Sequence, residues 1–230
     1  GGFGDYLSNI DDWEIQKISD AGGAAINLDY FSVDISKLPN NMNPSQFLNY
    51  VRLNMFDDLD NAKFSPHPLL PNEDDKWRNT PIASILSIDI EPPAGDGSVI
   101  CIDASSNHWV FATIQDPKNL QHPVSGNRKF GIKSNLSGGY TFYTRGTDRV
   151  KVGGAGFLRD IAFAVSDGQV DLMDNGSRPW IDLRKKVIEY INENGGNTTM
   201  GVKIEERPDY DLIKDILDGK LPISELKHCE

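Results

Sequence analysis

Between residues 82 and 150 apolar and polar residues alternate in short runs, and turn-forming residues separate the runs. The pattern predicts strands at 84–90 (SILSIDI), 98–103 (SVICID), 108–115 (HWVFATIQ), 128–133 (RKFGIK) and 139–146 (GYTFYTRG). Short polar connections make consecutive strands antiparallel neighbours. Ala25 to Ile35 alternates in the same way and predicts a sixth strand, ended by Pro39 and the Asn-rich stretch after it. The period changes on either side of the β run. Phe47, Leu48, Val51, Met55, Phe56 and Leu59 mark one face of a helix, with Asn43 as N-cap and Pro44 in the first turn, where its missing N–H costs nothing. Trp180 to Asn192 predicts a second helix burying Trp180, Leu183, Val187, Ile188 and Ile191, with Ser177 upstream as cap and Gly195-Gly196 as its stop.

The flanks are less regular. A short helix is expected around 11–18, a loop over 61–81, and a last helix through Leu212, Ile213, Ile216 and Leu217. Residues 151–178 fit a helix or a strand equally well, and GVKIEERPDY fits a strand or a loop. The expected fold class is therefore α+β: a curved antiparallel sheet of about six strands packed on a long C-terminal helix, the layout of a helix-grip fold. Residues 1–23 form an N-terminal appendage, 24–196 the main domain, and 197–230 a C-terminal extension.

Composition adds three constraints. No apolar run reaches the length of a membrane span, and GGFGDYLSNIDDWE has neither the basic start nor the apolar core of a secretory leader, so localisation stays open. Cys101, inside a strand pattern, is expected as a buried small hydrophobe, and Cys229 as loose, so no disulfide framework is expected. The formal net charge is −11, yet Lys118 to Lys151 holds seven basic residues against one acid. That segment suits an anionic ligand, or else internal pairing with the acidic remainder.

Candidate chemistry concentrates in the same segment. His122, before Pro123 at a loop edge, is the candidate general base, with Tyr143 beside it as a second catalytic candidate and Arg128 and Arg145 as cations for a phosphate. Arg149 and Trp109 complete the candidate ligand-binding set. Arg145, Asp148 and Arg149 can also form an internal Arg–carboxylate fork. His67 reads as a surface loop histidine, and Trp77 could stand with it at a pocket mouth. No histidine pair has metal-ligand spacing, Gly153 to Gly156 lacks the βαβ context of a dinucleotide site, and VSG around Ser125 is not a nucleophile elbow. No metal or cofactor is expected.

Two resemblances bear on these residues. Thr113-Ile114, the His122-Pro123-Val124-Ser125-Gly126 turn, Phe130 and the strand Tyr140 to Arg149 resemble a pattern in uncharacterised bacterial START-like domains, which implies a helix-grip cavity between sheet and helix. FLNYVRLNMFDD, HPVSGNRKFGI, YTFYTRGTDRV and INENGG resemble the C-terminal region of bacterial YD-repeat (Rhs-type) proteins, which implies a secreted toxin or effector carried by a larger assembly, although no YD repeats are present. Two functions follow. One is a binding module that holds a small apolar or anionic ligand, or meets a protein partner. The other is an effector nuclease using His122 with Arg128, Tyr143 and Arg145, and only this alternative involves nucleic acid. Oligomeric state is open under both.

Overall fold

The structure is a computed structural model that describes residues 12–91, 95–151 and 168–226, with side chains from residue 175 onward in the last segment. Among the described residues it is an α+β fold built on one antiparallel sheet of nine strands, three more than the alternation predicts. The strands are β1 (Glu14–Ile15), β2 (Ile26–Lys37), β3 (Ala62–Pro66), β4 (Ile85–Ile90), β5 (Gly97–Ala104), β6 (His108–Gln115), β7 (Val124–Ser134), β8 (Tyr140–Val150) and β9 (Asn197–Glu206). Their order is β3-β4-β5-β6-β7-β8-β2-β9, with β1 paired to the end of β6.

The three additional strands lie where the pattern is weakest. β1 replaces the expected helix at 11–18 and is only two residues long, too short to show a period. β3 and the helix α2 (Glu73–Asn79) occupy the expected loop at 61–81. β9 takes up the segment that fitted strand or loop, and it pairs with β2 across a register shift between Phe31 and Val33. One extra residue at such a bulge scrambles simple alternation.

Helix α1 (Pro44–Asn54) opens on a reciprocal cap. The Asn43 side chain accepts from the Gln46 N–H and the Gln46 side chain accepts from the Asn43 N–H, each at 2.9 Å. The helix ends at Asn54 rather than at Leu59. Met55, Phe56 and Leu59 are still buried, but they lie in a bend that also carries Asp57, Asp58 and Asp60, acids poorly placed against a helix C-terminus.

Helix α3 (Gly168–Glu193) starts upstream of the expected point, so Pro179 lies inside it. Leu183, Val187 and Ile191, four residues apart, are fully buried against the sheet. The helix stops with Gly195 at φ +74° and the Gly196 N–H donating to the Ile191 carbonyl at 2.9 Å, a Schellman closure that requires the left-handed residue. Helix α4 (Tyr210–Leu217) follows β9 and buries none of its residues fully. Among the described residues no helix is long and apolar enough to cross a membrane.

The two faces of the sheet differ in what covers them. The inner face packs on α1, α2 and α3 through one large core that includes Val33, Phe47, Phe64, Trp77, Trp109, Phe111, Phe130, Phe142 and Leu183. On the outer face a smaller cluster of Trp13, Ile85, Ile100, Ala112 and Ile114 lies at the β1 end. His67 belongs to this cluster's edge and is buried, not a surface histidine. Its Nδ1 accepts from the Leu69 N–H, so Nε2 carries the proton and donates to Asp116 at 3.2 Å. Trp77 is buried as well, against Trp109 and Phe111, with the Arg52 guanidinium over its ring.

Candidate functional site

The strand period decides which candidates meet. β7 and β8 pair without interruption from Val124↔Val150 to Ser134↔Tyr140, and Arg128 stands opposite Gly146. Residues opposite each other share a face, and neighbours along a strand do not. Arg128 and Asp148 therefore point to the inner face. Lys129, Tyr143, Arg145 and Arg149 point to the outer one. The four side chains His122, Arg128, Tyr143 and Arg145 do not converge, because the sheet stands between the first two and the last two. The Arg145–Asp148–Arg149 fork is absent for the same reason.

On the inner face Arg128 lies between a carboxylate and an aromatic ring. Its guanidinium donates to both oxygens of Asp29, at 2.8 and 2.5 Å, and to the Thr144 hydroxyl at 3.3 Å. Its other side stacks on Trp180, 4.2 Å from the ring centre. Gly146 makes this possible: a Cβ there would collide with the guanidinium. Asp148 stands 3.9 Å away, and the Asn27 amide donates to Asp29 at 2.7 Å and to Asp148 at 3.2 Å. Burial drives the Asp148 carboxyl up to about 6; Arg128 opposes the shift and Asp29 adds to it.

His122 is held by its backbone. Gln16 accepts from the His122 N–H at 2.6 Å and donates to the His122 carbonyl at 3.1 Å, so the segment before β2 fixes the turn before β7. The ring lies on Gly97, where any side chain would displace it. Its Nδ1 meets the backbone of Val124, with the carbonyl at 3.1 Å and the N–H at 3.2 Å. Among the described residues nothing hydrogen-bonds to Nε2. Burial pulls the imidazole down to about 4, so at neutral pH it is uncharged.

His122, Arg128, Asp148 and Asn27 all line one cavity of about 150 Å³ between the inner face and α3. Much of the remaining wall is apolar, with Phe64, Ile88, Ile90, Val99, Phe111 and Trp180, and Asn61, Thr113, Asn127 and Asn175 lie among these side chains. Asn27, Arg128 and Asp148 come from β2, β7 and β8, and Phe64, Ile88, Val99 and Phe111 from β3 to β6. Arg178 and Glu91 stand among the lining residues, and the Arg178 guanidinium is paired with Asp60 at 2.6 Å.

The remaining candidates lie elsewhere. Trp109 lies in the core instead of the cavity wall: it is 1% exposed and stacks on Phe130 with ring centres 4.9 Å apart. Arg149 lies over the Tyr210 ring at 3.7 Å and donates to the Gly23 and Ile18 carbonyls, fastening the segment before β2 and the start of α4 to β8. Tyr143 stacks on Tyr30 on the outer face, with ring centres 5.8 Å apart. Cys101 is buried, its thiol pushed up to about 12 by desolvation and so kept protonated. The Gly153 to Gly156 run and Cys229 lie outside the described residues. Reading the sequence did not identify Asn27, Asp29 or Trp180 as site residues. Asn and Asp at alternate positions of an apolar strand, INLDYF, were the available signal.

No family model and no curated protein matches the chain, so neither comparison supports the YD-repeat resemblance. Solved structures do overlap with it. The di-domain ARO/CYC StfQ from the steffimycin biosynthetic pathway matches over 74% of this chain at 12% identity and a TM-score of 0.48. The chain spans about half of that protein's length, 52%. The Zhui aromatase/cyclase from Streptomyces sp. R1128 matches over 75% of this chain and 99% of its own, at 9% identity and a TM-score of 0.47. Ara h 8.0201 matches over 73% and 99%, at 11% identity and a TM-score of 0.41.

Proposed function

We propose that the chain is a binding module of helix-grip type, and that the cavity between the inner face and α3 holds a small, mainly apolar and uncharged molecule. The cavity's lining carries the reading: apolar side chains from Phe64 to Trp180 dominate it, and the Arg128 guanidinium that lines it is already paired with Asp29. An apolar cavity of about this size can hold benzene, so a body of one or two rings fits, with a hydroxyl or carbonyl turned toward His122 and Asn27.

An anionic ligand, expected from the basic segment, fits less well. Arg128 is the cation at the polar wall whose charge could serve it, and both of its carboxylate-facing nitrogens are committed to Asp29. A second carboxylate, Asp148, would repel an incoming anion. The nuclease reading loses its geometric basis, since its four residues are divided between two faces of the sheet.

The test is calorimetric titration at neutral pH with 2-naphthol and 2-naphthoate, which share a ring system and differ in charge. The expected result is binding of 2-naphthol at least tenfold tighter than 2-naphthoate, and loss of that binding in Val99→Trp, which fills the cavity. Equal or tighter binding of the carboxylate overturns the reading, as does undiminished 2-naphthol binding by a folded Val99→Trp variant.

A further inference from the structure

The basic excess between Lys118 and Lys151 divides into two groups once its partners are counted. Arg128 is paired with Asp29, Arg149 is packed on Tyr210, Lys118 donates to Ser87 and Asn119, and Lys151 donates to the Asp20 carbonyl. The other three, Lys129, Lys133 and Arg145, have no carboxylate within ion-pair distance among the described residues. All three lie on the outer face. Lys129 and Arg145 stand directly opposite each other on β7 and β8, and Lys133 is four residues further along β7, about 13 Å away at strand spacing.

The tyrosines lie among these cations. Arg145 is opposite Tyr30 on β2, and Tyr143 reaches across Gly131 on β7, where a Cβ would meet its hydroxyl. The missing side chain at residue 131 lets the phenol ring extend across the neighbouring strand. Tyr30 and Tyr143 stack with their planes 17° apart, and the Lys133 ammonium lies 5.8 and 5.6 Å from the two ring centres. An open groove beside the pair is lined by Leu28, Tyr30, Lys129, Arg145, Ile204 and Leu226 among others. The acids on this face are partly committed: Asp34 accepts from the Thr141 hydroxyl at 2.8 Å and Asp103 is paired with His108 at 2.7 Å, while Glu206 lines the groove.

Unpaired cations around half-exposed stacked rings on a sheet surface are the parts of a single-strand platform. Bases stack on the rings irrespective of sequence, and phosphates meet the cations. We infer that the outer face of β2, β7 and β8 binds single-stranded nucleic acid, with Tyr30 and Tyr143 as stacking surfaces and Lys129, Lys133 and Arg145 as phosphate contacts. The net charge of −11 does not prevent this, because charges more than about 8–10 Å away are largely screened at physiological salt. The strip is independent of the inner cavity.

The experiment is fluorescence anisotropy of a short fluorescein-labelled oligothymidylate with the full chain. Three phosphate contacts predict that affinity falls about twentyfold between about 50 and about 200 mM salt. Tyr143→Ala should weaken binding about fivefold to hundredfold, the range of one lost stacked base, while Tyr143→Phe stays near wild type. Arg145→Glu, at an exposed position that leaves the fold intact, should weaken binding and flatten the salt dependence. Inorganic polyphosphate, which has charge but no bases, should compete poorly. No binding at low salt overturns the inference. So does unchanged affinity in Tyr143→Ala, or displacement by polyphosphate as effective as by unlabelled oligonucleotide, either of which would leave only a non-specific charge attraction.

Discussion

The inner and outer faces of β7 and β8 carry side chains from the same eleven-residue strands, yet they treat positive charge in opposite ways. Inside, Arg128 is 11% exposed and fully committed to Asp29, which is 3% exposed, with Asp148 and Trp180 closing round it. Outside, one residue along each strand, Lys129 and Arg145 lie on the outer face with no carboxylate within ion-pair distance among the described residues, Asp103 acting on Lys129 only from further off. A charge buried in a low-dielectric wall is tolerated only when paired, whereas the same charge in water needs no partner. A charge count along the sequence adds these two populations together and describes neither. The inner arginine organises a cavity that suits an uncharged guest, and the outer cations are available for an anion.

The largest predicted contrast is in stability. Asp29→Ala removes the bidentate partner of the largely buried Arg128 side chain, leaves Asp148 at 3.9 Å as its nearest carboxylate, and should cost about 3–5 kcal/mol. Arg145→Ala, one face away, should fall within about 0.5 kcal/mol of wild type. Urea denaturation of both variants measures the difference, and similar losses would break the distinction between the faces.

The next effect is a pair of opposed pH slopes. Asp148 is raised to about 6 in the folded chain, so between pH 4 and 6 the folded state holds the extra proton and this group's stabilisation fades as pH rises. His122 is lowered to about 4, so over nearly the same window the unfolded state holds the extra proton and stability rises with pH. Each alone is worth about 3 kcal/mol, and in the wild type they largely cancel. Asp148→Asn should therefore gain stability from pH 4 to 6.5, while His122→Gln should lose it from pH 4 to 6. Denaturation across that range in the two variants checks the signs, and parallel slopes would contradict both assignments.

A smaller effect tests how Arg128 is seated. Gly146→Ala places a methyl group against the guanidinium and should cost about 1–3 kcal/mol, as overpacking does. If the variant matches wild type, the arginine is not confined as described.

Much of this fold was legible in the sequence because alternation and helical period are written at the scale of single strands and turns. The strand pattern of HWVFATIQ and the Asn43–Gln46 cap depend on neighbours a few residues away. What escaped depends on distant partners. β3 is defined by its pairing with β4, β9 by a bulged pairing with β2, and β1 by two residues beside β6. The candidate site was only half visible for the same reason. His122, Arg128 and Asp148 stand out as titratable groups in one segment, but Asp29, which neutralises Arg128, is 99 positions away in sequence, and Trp180 comes from α3. Grouping Tyr143 and Arg145 with His122 ignored the parity of β8, which becomes usable only when the register with β7 is known.

The most direct test of the cavity reading is an NMR search for intermolecular contacts between bound 2-naphthol and the protein. The account predicts nuclear Overhauser effects from the naphthol ring to Phe64, Phe111 and Trp180, together with a shift of the His122 ring signals. Contacts confined to Tyr30 and Tyr143 on the outer face, or none to the cavity residues at saturating 2-naphthol, would contradict it.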